Sequence, residues 1–195
     1  MRLFGQECAG ALVVAPEGME APAQPPAYRD ITNELEAILE KHHGTPQGSL
    51  IAETGARLSI AGAQNKLPIV LRNGKFLVPE DGSFAPTSAI LKPTTARFPD
   101  LHRNELFCME LAREAGLQTP DASILQIGRY QAYVIMRYDR ELTENGIIRI
   151  HQEDFCQALG ISRIYKYEEN GGPGFAACGN VLLHPPVSGN AGARE

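Results

Sequence analysis

The sequence predicts an α+β fold, in which a mixed or antiparallel sheet carries one main helix and a helical region follows. Three patterns predict this fold. Extended apolar runs fill much of residues 58–92, a helical spacing of apolar residues covers residues 99–115, and two further extended runs lie within residues 123–138. A helical pattern returns around residues 152–160 and is then lost.

The first elements lie before these runs. Residues 3–14 form a glycine-punctuated segment that predicts one or two short strands, and the proline- and alanine-rich residues 19–27 predict a linker. A helix with one apolar face is predicted over residues 31–39. Asp30 can accept hydrogen bonds from its first amides, and Gly44 marks its end.

A β-hairpin is the clearest local prediction. Asn73-Gly74 is the dipeptide best suited to the positive φ angles of a type I′ turn, and it separates extended residues 67–71 from residues 76–78. The other predicted elements are a strand over residues 89–92, the helix over residues 99–115 closed by Gly116, and strands over residues 123–127 and 131–138.

Composition excludes several classes of protein. The chain has 195 residues, of which 43% are hydrophobic and 21% charged, so it is not a disordered tail. A net charge of −5 argues against a broad basic surface for nucleic acid. Four cysteines without a CxxC pair or a secretory signal indicate reduced thiols in the cytoplasm, and no apolar stretch is long enough for a membrane span.

Residues 59–66, Ser-Ile-Ala-Gly-Ala-Gln-Asn-Lys, form a small, polar, glycine-bearing segment directly before the hairpin. Its backbone amides could approach a phosphate without obstruction by side chains. On local sequence alone, an ordinary surface loop explains the segment better, because one glycine is not a nucleotide-binding fingerprint.

Lys92 and Glu105 form the first candidate pair. Strand alternation places Lys92 on the face shared with Ile90, and helical spacing places Glu105 with the apolar stripe of its helix, so the two side chains should meet. A strand lysine held by a helix glutamate positions the phosphates of ATP in protein kinases. A purely structural ion pair is an equally good reading of these two residues.

The strand over residues 133–140 is the candidate connection to a second lobe, where backbone groups could bind an adenine edge. A plain core strand explains the same alternation. The charged run Arg137 to Arg140 is equally well explained as a solvated exit from the sheet.

Six segments, in order, resemble the HipA family of bacterial serine/threonine kinase toxins. They are LSIAGAQNKLPIVL at residues 58–71, AILKP at 89–93, RNELFCMELAREAGL at 103–117, VIMRYDR at 134–140, HQEDFCQALG at 151–160 and KYEENGGPGFAA at 166–177. Residues 3–12 resemble the end of the family's N-terminal subdomain.

The resemblance implies a protein-kinase-like N-lobe that binds ATP with Mg²⁺, followed by the start of a helical second lobe. Residues matching the family's nucleotide-contacting positions are the loop residues Ala61, Gly62, Ala63, Gln64, Asn65 and Lys66, the lysine Lys92, the helix glutamate Glu105, and the hinge residues Met136, Arg137 and Tyr138. Ser59 matches the serine that active members autophosphorylate, which would add about two negative charges beside a phosphate site.

The resemblance also implies a domain division and partners. Residues 1–18 match a remnant of the N-terminal subdomain, 19–50 a linker and helix, 51–140 the ATP-binding lobe, and 141–195 the start of the helical C-lobe with a divergent tail. The implied partners are a HipB-like helix-turn-helix antitoxin, through which alone DNA is reached, and a protein substrate of the aminoacyl-tRNA synthetase class.

The sequence departs from the family in its catalytic residues. The family's base aspartate, its downstream asparagine and its Mg²⁺-binding aspartate follow the GGPG segment, whereas no aspartate follows Asp154 here. Residues 179–193 replace an expected helix with glycines and two prolines, which suggests a frame change or an early stop near Cys178. The start matches only the last strands of the N-terminal subdomain, which suggests a clipped or split gene. We therefore expect a truncated chain that is inactive alone.

The remaining charged and metal-type residues are uninformative in sequence. His42-His43, and His151 with Cys156, lack zinc-site spacing, and Glu36 and Glu40 repel each other on a solvated helix face. Two functions stay open: a nucleotide-binding lobe without turnover, and a non-catalytic binding module for an antitoxin or a complementary kinase fragment.

Overall fold

The computed structural model describes residues 7–13, 25–42, 58–59, 65–80, 83–96 and 98–184. The strands in these ranges are β1 (Glu7–Cys8), β2 (Tyr28–Asp30), β3 (Leu58–Ser59), β4 (Leu67–Arg72), β5 (Lys75–Pro79), β6 (Ala89–Pro93), β7 (Ala122–Ile127), β8 (Tyr130–Met136), β9 (Arg140–Thr143) and β10 (Gly146–Arg149). The α-helices are α1 (Leu35–His42), α2 (Leu101–Glu114), α3 (Phe155–Ala158) and α4 (Phe175–Leu183), with 3₁₀ turns at Arg163–Tyr165 and Glu168–Asn170.

The main sheet has six strands in the order β2-β5-β4-β6-β8-β7. Each neighbouring pair in it is antiparallel. Strands β1 and β3 form a separate parallel pair, and β9 and β10 form a separate hairpin. The α+β class predicted from the sequence is confirmed, with an antiparallel rather than a mixed main sheet.

The predicted hairpin at Asn73-Gly74 is confirmed. Strands β4 and β5 pair up to Arg72 and Lys75, leaving Asn73 and Gly74 as the two loop residues. Both have positive φ, 52° and 74°, as a type I′ turn requires. Asparagine and glycine tolerate this region better than other residues, so the turn chemistry sets the register of both strands.

Helix α1 covers one face of the main sheet with a single apolar stripe. The buried core comprises Ile31, Leu35 and Leu39 around this helix and Leu67, Ile69, Val78, Ala89, Leu91, Ile127, Ala132 and Val134 from the sheet. The helix begins at Leu35 rather than Ile31, because the Asp30 carboxylate accepts hydrogen bonds from the amide and hydroxyl of Thr32 and holds a turn there. The stop signal at Gly44 lies outside the described residues.

Helix α2 covers the other face at β7 and β8. Its bounds agree with the predicted helix, and Gly116 follows it with φ 84°. Strand alternation puts Lys92 and Tyr133 on this face, because their neighbours Leu91, Ala132 and Val134 belong to the core under α1. The sheet therefore presents Lys92 to Glu105 on α2.

The charged face of α1 is not simply solvated. Arg129, in the turn between β7 and β8, lies 3.7 Å from the Glu36 carboxylate and 3.4 Å from that of Glu40. The Arg129 amide also donates to Glu36 Oε1 at 3.0 Å. The two glutamates stay about half exposed, as predicted for a solvated face, and one arginine pairs with both of them.

Residues 140–149 form a hairpin, β9–β10, that the sequence pattern did not predict. Its two-residue loop, Glu144-Asn145, is followed by Gly146 with φ 132°. In the first of the chain's two compact units, residues 1–151, this hairpin follows the main sheet.

The second unit, residues 152–195, contains α3 and α4. The helix predicted around residues 152–160 shortens to α3, which begins with reciprocal capping between Asp154 and Gln157. Helix α4 runs through Gly179 to Leu183, so the expected loss of helix after Ala176 is wrong for this stretch. Residues 185–195 lie outside the described part.

Candidate functional site

Lys92 and Glu105 meet as their spacing predicts. Lys92 Nζ donates a hydrogen bond to Glu105 Oε2, and the side chains are only 23% and 22% exposed. Lys92 lies opposite Tyr133 in the β6–β8 register, and its ammonium is 5.3 Å from the centroid of the Tyr133 ring. This partial burial restricts the motion of both side chains, and the remaining exposed surface leaves the pair accessible to a ligand from solvent.

The ring of Tyr133 packs against Lys92 on the sheet side of the ion pair. Its side chain is fully buried, and its hydroxyl has no hydrogen-bond partner in the described part of the chain. Burial, with the nearby charge of Glu105 and then Cys108, raises the pKa of Tyr133 to about 12. The phenol therefore stays neutral, and Lys92 faces a neutral aromatic surface and one carboxylate.

Arg137, Asp139 and Arg140 form a buried Arg–Asp–Arg cluster. Their side chains are 2%, 5% and 1% exposed, so the reading of this run as a solvated exit from the sheet is wrong. The Arg137 guanidinium donates to both carboxylate oxygens of Asp139, at 2.9 and 2.7 Å, and Arg140 Nη1 lies 3.1 Å from Asp139 Oδ2. Two cations thus share one carboxylate inside the protein.

The pKa of Asp139 is lowered. Burial alone would raise it, but hydrogen bonds from the Arg137 side chain and the Gly10 amide, together with the charges of both arginines, outweigh burial. The carboxylate is therefore ionised at neutral pH, which the two buried guanidinium groups require.

The cluster also binds the segment that follows β1. The Gly10 amide donates to Asp139 Oδ2 at 2.7 Å, and Arg140 donates to the Gly10 carbonyl at 2.9 Å. The Cys8 carbonyl accepts from both arginines at 3.0 Å. These partners lie about 130 residues away in sequence, so no local pattern indicates them.

The backbone amides of the three predicted hinge residues differ in whether they already donate a hydrogen bond. The Met136 amide donates to the Asp121 carbonyl at 2.8 Å, and the Arg137 amide donates to the Ser88 carbonyl at 2.9 Å. The Tyr138 amide takes part in no hydrogen bond within the described ranges, and its side chain is 71% exposed. Tyr138 is therefore the hinge position with a backbone donor still available.

The predicted phosphate loop is only partly described. Ala61, Gly62, Ala63 and Gln64 lie outside the described residues, whereas Asn65 is buried and Lys66 half-buried just before β4. Ser59 ends β3, where its backbone is in register with Cys8. The roles predicted for these residues, and for Lys92, Glu105 and the hinge, stay predictions.

One cavity in the described part involves none of the predicted site residues. It has a volume of about 500 Å³ and lies where α2 begins, beside the β7–β8 turn. Its lining includes Thr94, Thr95, His102, Arg103, Arg129 and Gln131. His102 is buried there and binds the Gln131 side chain through Nε2 at 3.0 Å.

The described residues contain no group of three His, Cys, Asp or Glu side chains able to hold a metal ion. No helix among those residues has the length and apolarity needed to cross a bilayer.

Together, the antiparallel sheet, the covering helix and the lysine–glutamate pair define an α+β domain with a charged pair on its helix-covered face. A family model described as the HipA-like C-terminal domain matches residues 58–191, which is more than half of the chain. The chain belongs to this family, as its resemblance to HipA kinases predicts.

Two relatives carry names that describe them as a kinase or a putative kinase. The chain is 40% identical over 190 residues to "Putative kinase Y4mE" of Sinorhizobium fredii, covering 92% of this chain and 43% of that protein. It is 34% identical over 179 residues to the serine/threonine-protein kinase toxin HipA of Shewanella oneidensis, covering 89% of this chain and 39% of that protein.

A solved structure of Shewanella oneidensis HipA with HipB and operator DNA is similar in fold, with a TM-score of 0.64 and 32% identity. The match covers 87% of this chain and 38% of that one. The chain thus spans about 40% of the length of the relatives it matches.

Proposed function

We propose that this chain is the nucleotide-binding lobe of a HipA-type serine/threonine kinase and binds ATP with Mg²⁺. The observation that carries the proposal is the Lys92–Glu105 pair, which is largely covered by α2 and shares a strand pair with the hinge at the end of β8. In kinases, a strand lysine held by a helix glutamate binds the α- and β-phosphates of ATP.

Lys92 supplies the positive charge for the phosphates, and Glu105 orients it. Without Glu105 the flexible four-carbon side chain could adopt many rotamers, so the ion pair reduces the entropy lost on binding. The neutral Tyr133 ring below leaves the outward side of the ammonium for an anionic ligand.

Tyr138 supplies the hinge contact. The amides of Met136 and Arg137 already donate to Asp121 and Ser88, so the Tyr138 amide is the donor available for an adenine ring nitrogen. The buried Arg137 side chain binds Asp139 instead of ligand. Of the three predicted hinge residues, Tyr138 is therefore the one proposed to contact the adenine, through its backbone amide and its exposed ring.

Residues 61–66 complete the site as the phosphate loop, and Ser59 before it is the proposed autophosphorylation site. Mg²⁺, when bound with ATP, neutralises charge on the phosphates. Residues 155–195 contain no aspartate, so the part of the kinase proposed here binds nucleotide and does not itself supply the base aspartate or the Mg²⁺-binding aspartate of phosphoryl transfer. In a complete relative, the transfer would be to a serine or threonine of an aminoacyl-tRNA synthetase.

A second candidate function, a non-catalytic binding module, is favoured by exposed apolar side chains on α4. Phe175, Leu182 and Leu183 are 93%, 71% and 75% exposed. Surfaces of this kind bind other proteins. The proposed partners are a complementary kinase fragment or a HipB-like antitoxin, since HipB accompanies HipA and operator DNA in the Shewanella complex. In this proposal the chain reaches DNA only through the antitoxin.

Thermal unfolding with and without Mg-ATP tests the proposed function. A ligand that binds only the folded state raises the unfolding midpoint by mass action, so we expect a rise that saturates with ATP. Mg²⁺ alone and inorganic triphosphate with Mg²⁺ are the controls for ion effects. A cooperative transition that ATP leaves unchanged would contradict the nucleotide-binding function and favour the binding module.

A further inference from the structure

The Arg–Asp–Arg cluster lies between two parts of the proposed nucleotide site. Arg137 and Asp139 flank Tyr138, and their bidentate ion pair is buried. A residue whose two neighbours are locked together by side chains has little freedom in its own backbone. The cluster therefore fixes the hinge position that offers an amide to adenine.

The other side of the cluster holds β1. Arg140 binds the carbonyls of Cys8 and Gly10, and Asp139 accepts from the Gly10 amide. Hydrogen bonds to charged groups in a water-free interior are the stronger kind. Hydrogen bonds from Asp139 and Arg140 thus hold the segment from Cys8 to Gly10 against the residues that follow β8.

The position of strand β3 depends on these hydrogen bonds through β1. It pairs in parallel with β1, with Leu58 opposite Glu7 and Ser59 opposite Cys8, and these two strands form a sheet of their own. The main six-stranded sheet does not include β3. Within the described residues, the ladder that positions Ser59 therefore runs through Cys8, whose carbonyl both arginines bind.

We propose that Arg137, Asp139 and Arg140 are positioning residues, which set strand β3, and with it Ser59 at the start of the proposed phosphate-loop sequence, at a fixed distance from the Tyr138 hinge. This inference rests on the proposed nucleotide site. A ligand that spans both ends, such as ATP, benefits from this fixed distance, whereas adenosine needs the hinge end alone. Nucleoside triphosphate recognition thus depends on side chains that do not touch the ligand.

Arg140→Lys is the variant that tests the link and spares the hinge. Lysine keeps a cation beside Asp139 but lacks the planar fork that reaches the Cys8 and Gly10 carbonyls together. The Arg137–Asp139 pair around Tyr138 stays intact. Val78→Ala is the matched control, because it opens a fully buried position in β5 away from the cluster.

Amide hydrogen exchange of the full chain without nucleotide is the first measurement. We expect Arg140→Lys to speed exchange about tenfold in peptides covering residues 7–13 and in peptides covering Leu58 and Ser59, the factor that follows from losing a hydrogen bond to a charged group. Val78→Ala should leave the exchange rates of these peptides unchanged relative to those of the rest of the chain. Faster exchange in residues 7–13 with unchanged exchange at Leu58 and Ser59 would overturn the proposal.

Calorimetric titration with Mg-ATP and with adenosine is the second measurement. Arg140→Lys should weaken ATP binding about tenfold and change adenosine binding less than threefold, a split that a general loss of stability would not produce. Equal weakening of both ligands would overturn the proposal. If the wild-type chain binds neither ligand, the proposed function fails, and the exchange result still decides whether the cluster positions β3.

Asp139→Asn is the second variant if Arg140→Lys does not fold. It keeps the side-chain shape and one carbonyl acceptor but removes the charge that the Gly10 amide and both arginines bind. The same pattern of exchange is expected, with the increase again confined to residues 7–13 and to Leu58 and Ser59.

Discussion

Asp139→Ala is expected to lower the free energy of unfolding by about 3–5 kcal/mol, a large part of the total stability of a small domain. The loss exceeds that of a surface ion pair because the substitution leaves two guanidinium groups buried without a counter-charge. Arg137 and Arg140 are at most 2% exposed, so water cannot replace the carboxylate unless the structure opens. The Gly10 amide loses its acceptor in the same step.

Urea unfolding followed by circular dichroism measures this loss, with Asp30→Ala as the matched control. Asp30 is also a carboxylate with several partners, accepting from Thr32 and pairing with Lys75 at 2.9 Å. Its side chain is 40% exposed, so water can hydrate the groups that it leaves. A loss for Asp139→Ala no greater than that for Asp30→Ala would contradict the buried cluster.

Acid unfolding gives a second measure of the same carboxylate. The folded-state pKa of Asp139 is lowered below its unfolded value, so its contribution is complete above about pH 4 and is lost as the pH falls through the folded pKa. The stability of the wild-type chain should fall steeply over that acid range. Asp139→Asn should start lower at neutral pH and lose less on acidification, although Asp30 adds an acid-sensitive contribution in both proteins.

The parts of the fold that the sequence predicts are those in which local chemistry decides. Asn73-Gly74 specifies its own turn, and that turn fixes the register of β4 and β5. The meeting of Lys92 and Glu105 follows from two periodicities, one of a strand and one of a helix. Neither inference needs knowledge of distant residues.

The hairpin of β9 and β10 has only a partial local signal in the sequence. Asn145-Gly146 is the same dipeptide as Asn73-Gly74, but the two loop residues here are Glu144-Asn145, and of the dipeptide only Gly146 has a positive φ. The dipeptide thus indicates a turn in this stretch without fixing which two residues form its loop.

The buried cluster could not be predicted from sequence. Charged residues are almost always solvated, so a run of two arginines and an aspartate favours an exposed segment. Their burial depends on the Cys8 and Gly10 backbone, about 130 residues earlier in the chain. Arg129 and the α1 glutamates are a second case, since their contact also joins elements distant in sequence.

Lys92→Ala is expected to abolish the rise in unfolding midpoint that Mg-ATP produces. At an ATP concentration one hundred times Kd, binding stabilises the wild-type chain by about 2.7 kcal/mol, which corresponds to a rise of about 5–10 °C for a chain of this size. Lys92 is the cation whose partner Glu105 holds it on the helix-covered face, so its removal takes away the phosphate contact. Differential scanning fluorimetry, with and without nucleotide, measures the effect.

Lys75→Ala is the matched control lysine. Lys75 also pairs with a carboxylate, that of Asp30, but its side chain is 62% exposed in the β4–β5 hairpin, and it is not among the predicted nucleotide-contacting residues. This variant should keep the full ATP-dependent rise. A rise lost in both variants would indicate a general effect of removing positive charge, and the assignment of Lys92 to the phosphates would then be wrong.

The structural-ion-pair reading of Lys92 and Glu105 makes the opposite prediction. If the pair only stabilises the sheet against α2, Lys92→Ala lowers the midpoint without ligand and leaves the ATP-dependent rise intact. The midpoint with ATP must therefore be compared with the midpoint without ATP in the same variant, because Glu105 loses its partner under both readings.

Glu105→Gln separates the roles further, because it keeps a hydrogen-bond acceptor for Lys92 and removes the charge. A nucleotide site should then show a reduced but measurable rise, since the lysine remains and only its orientation is weakened.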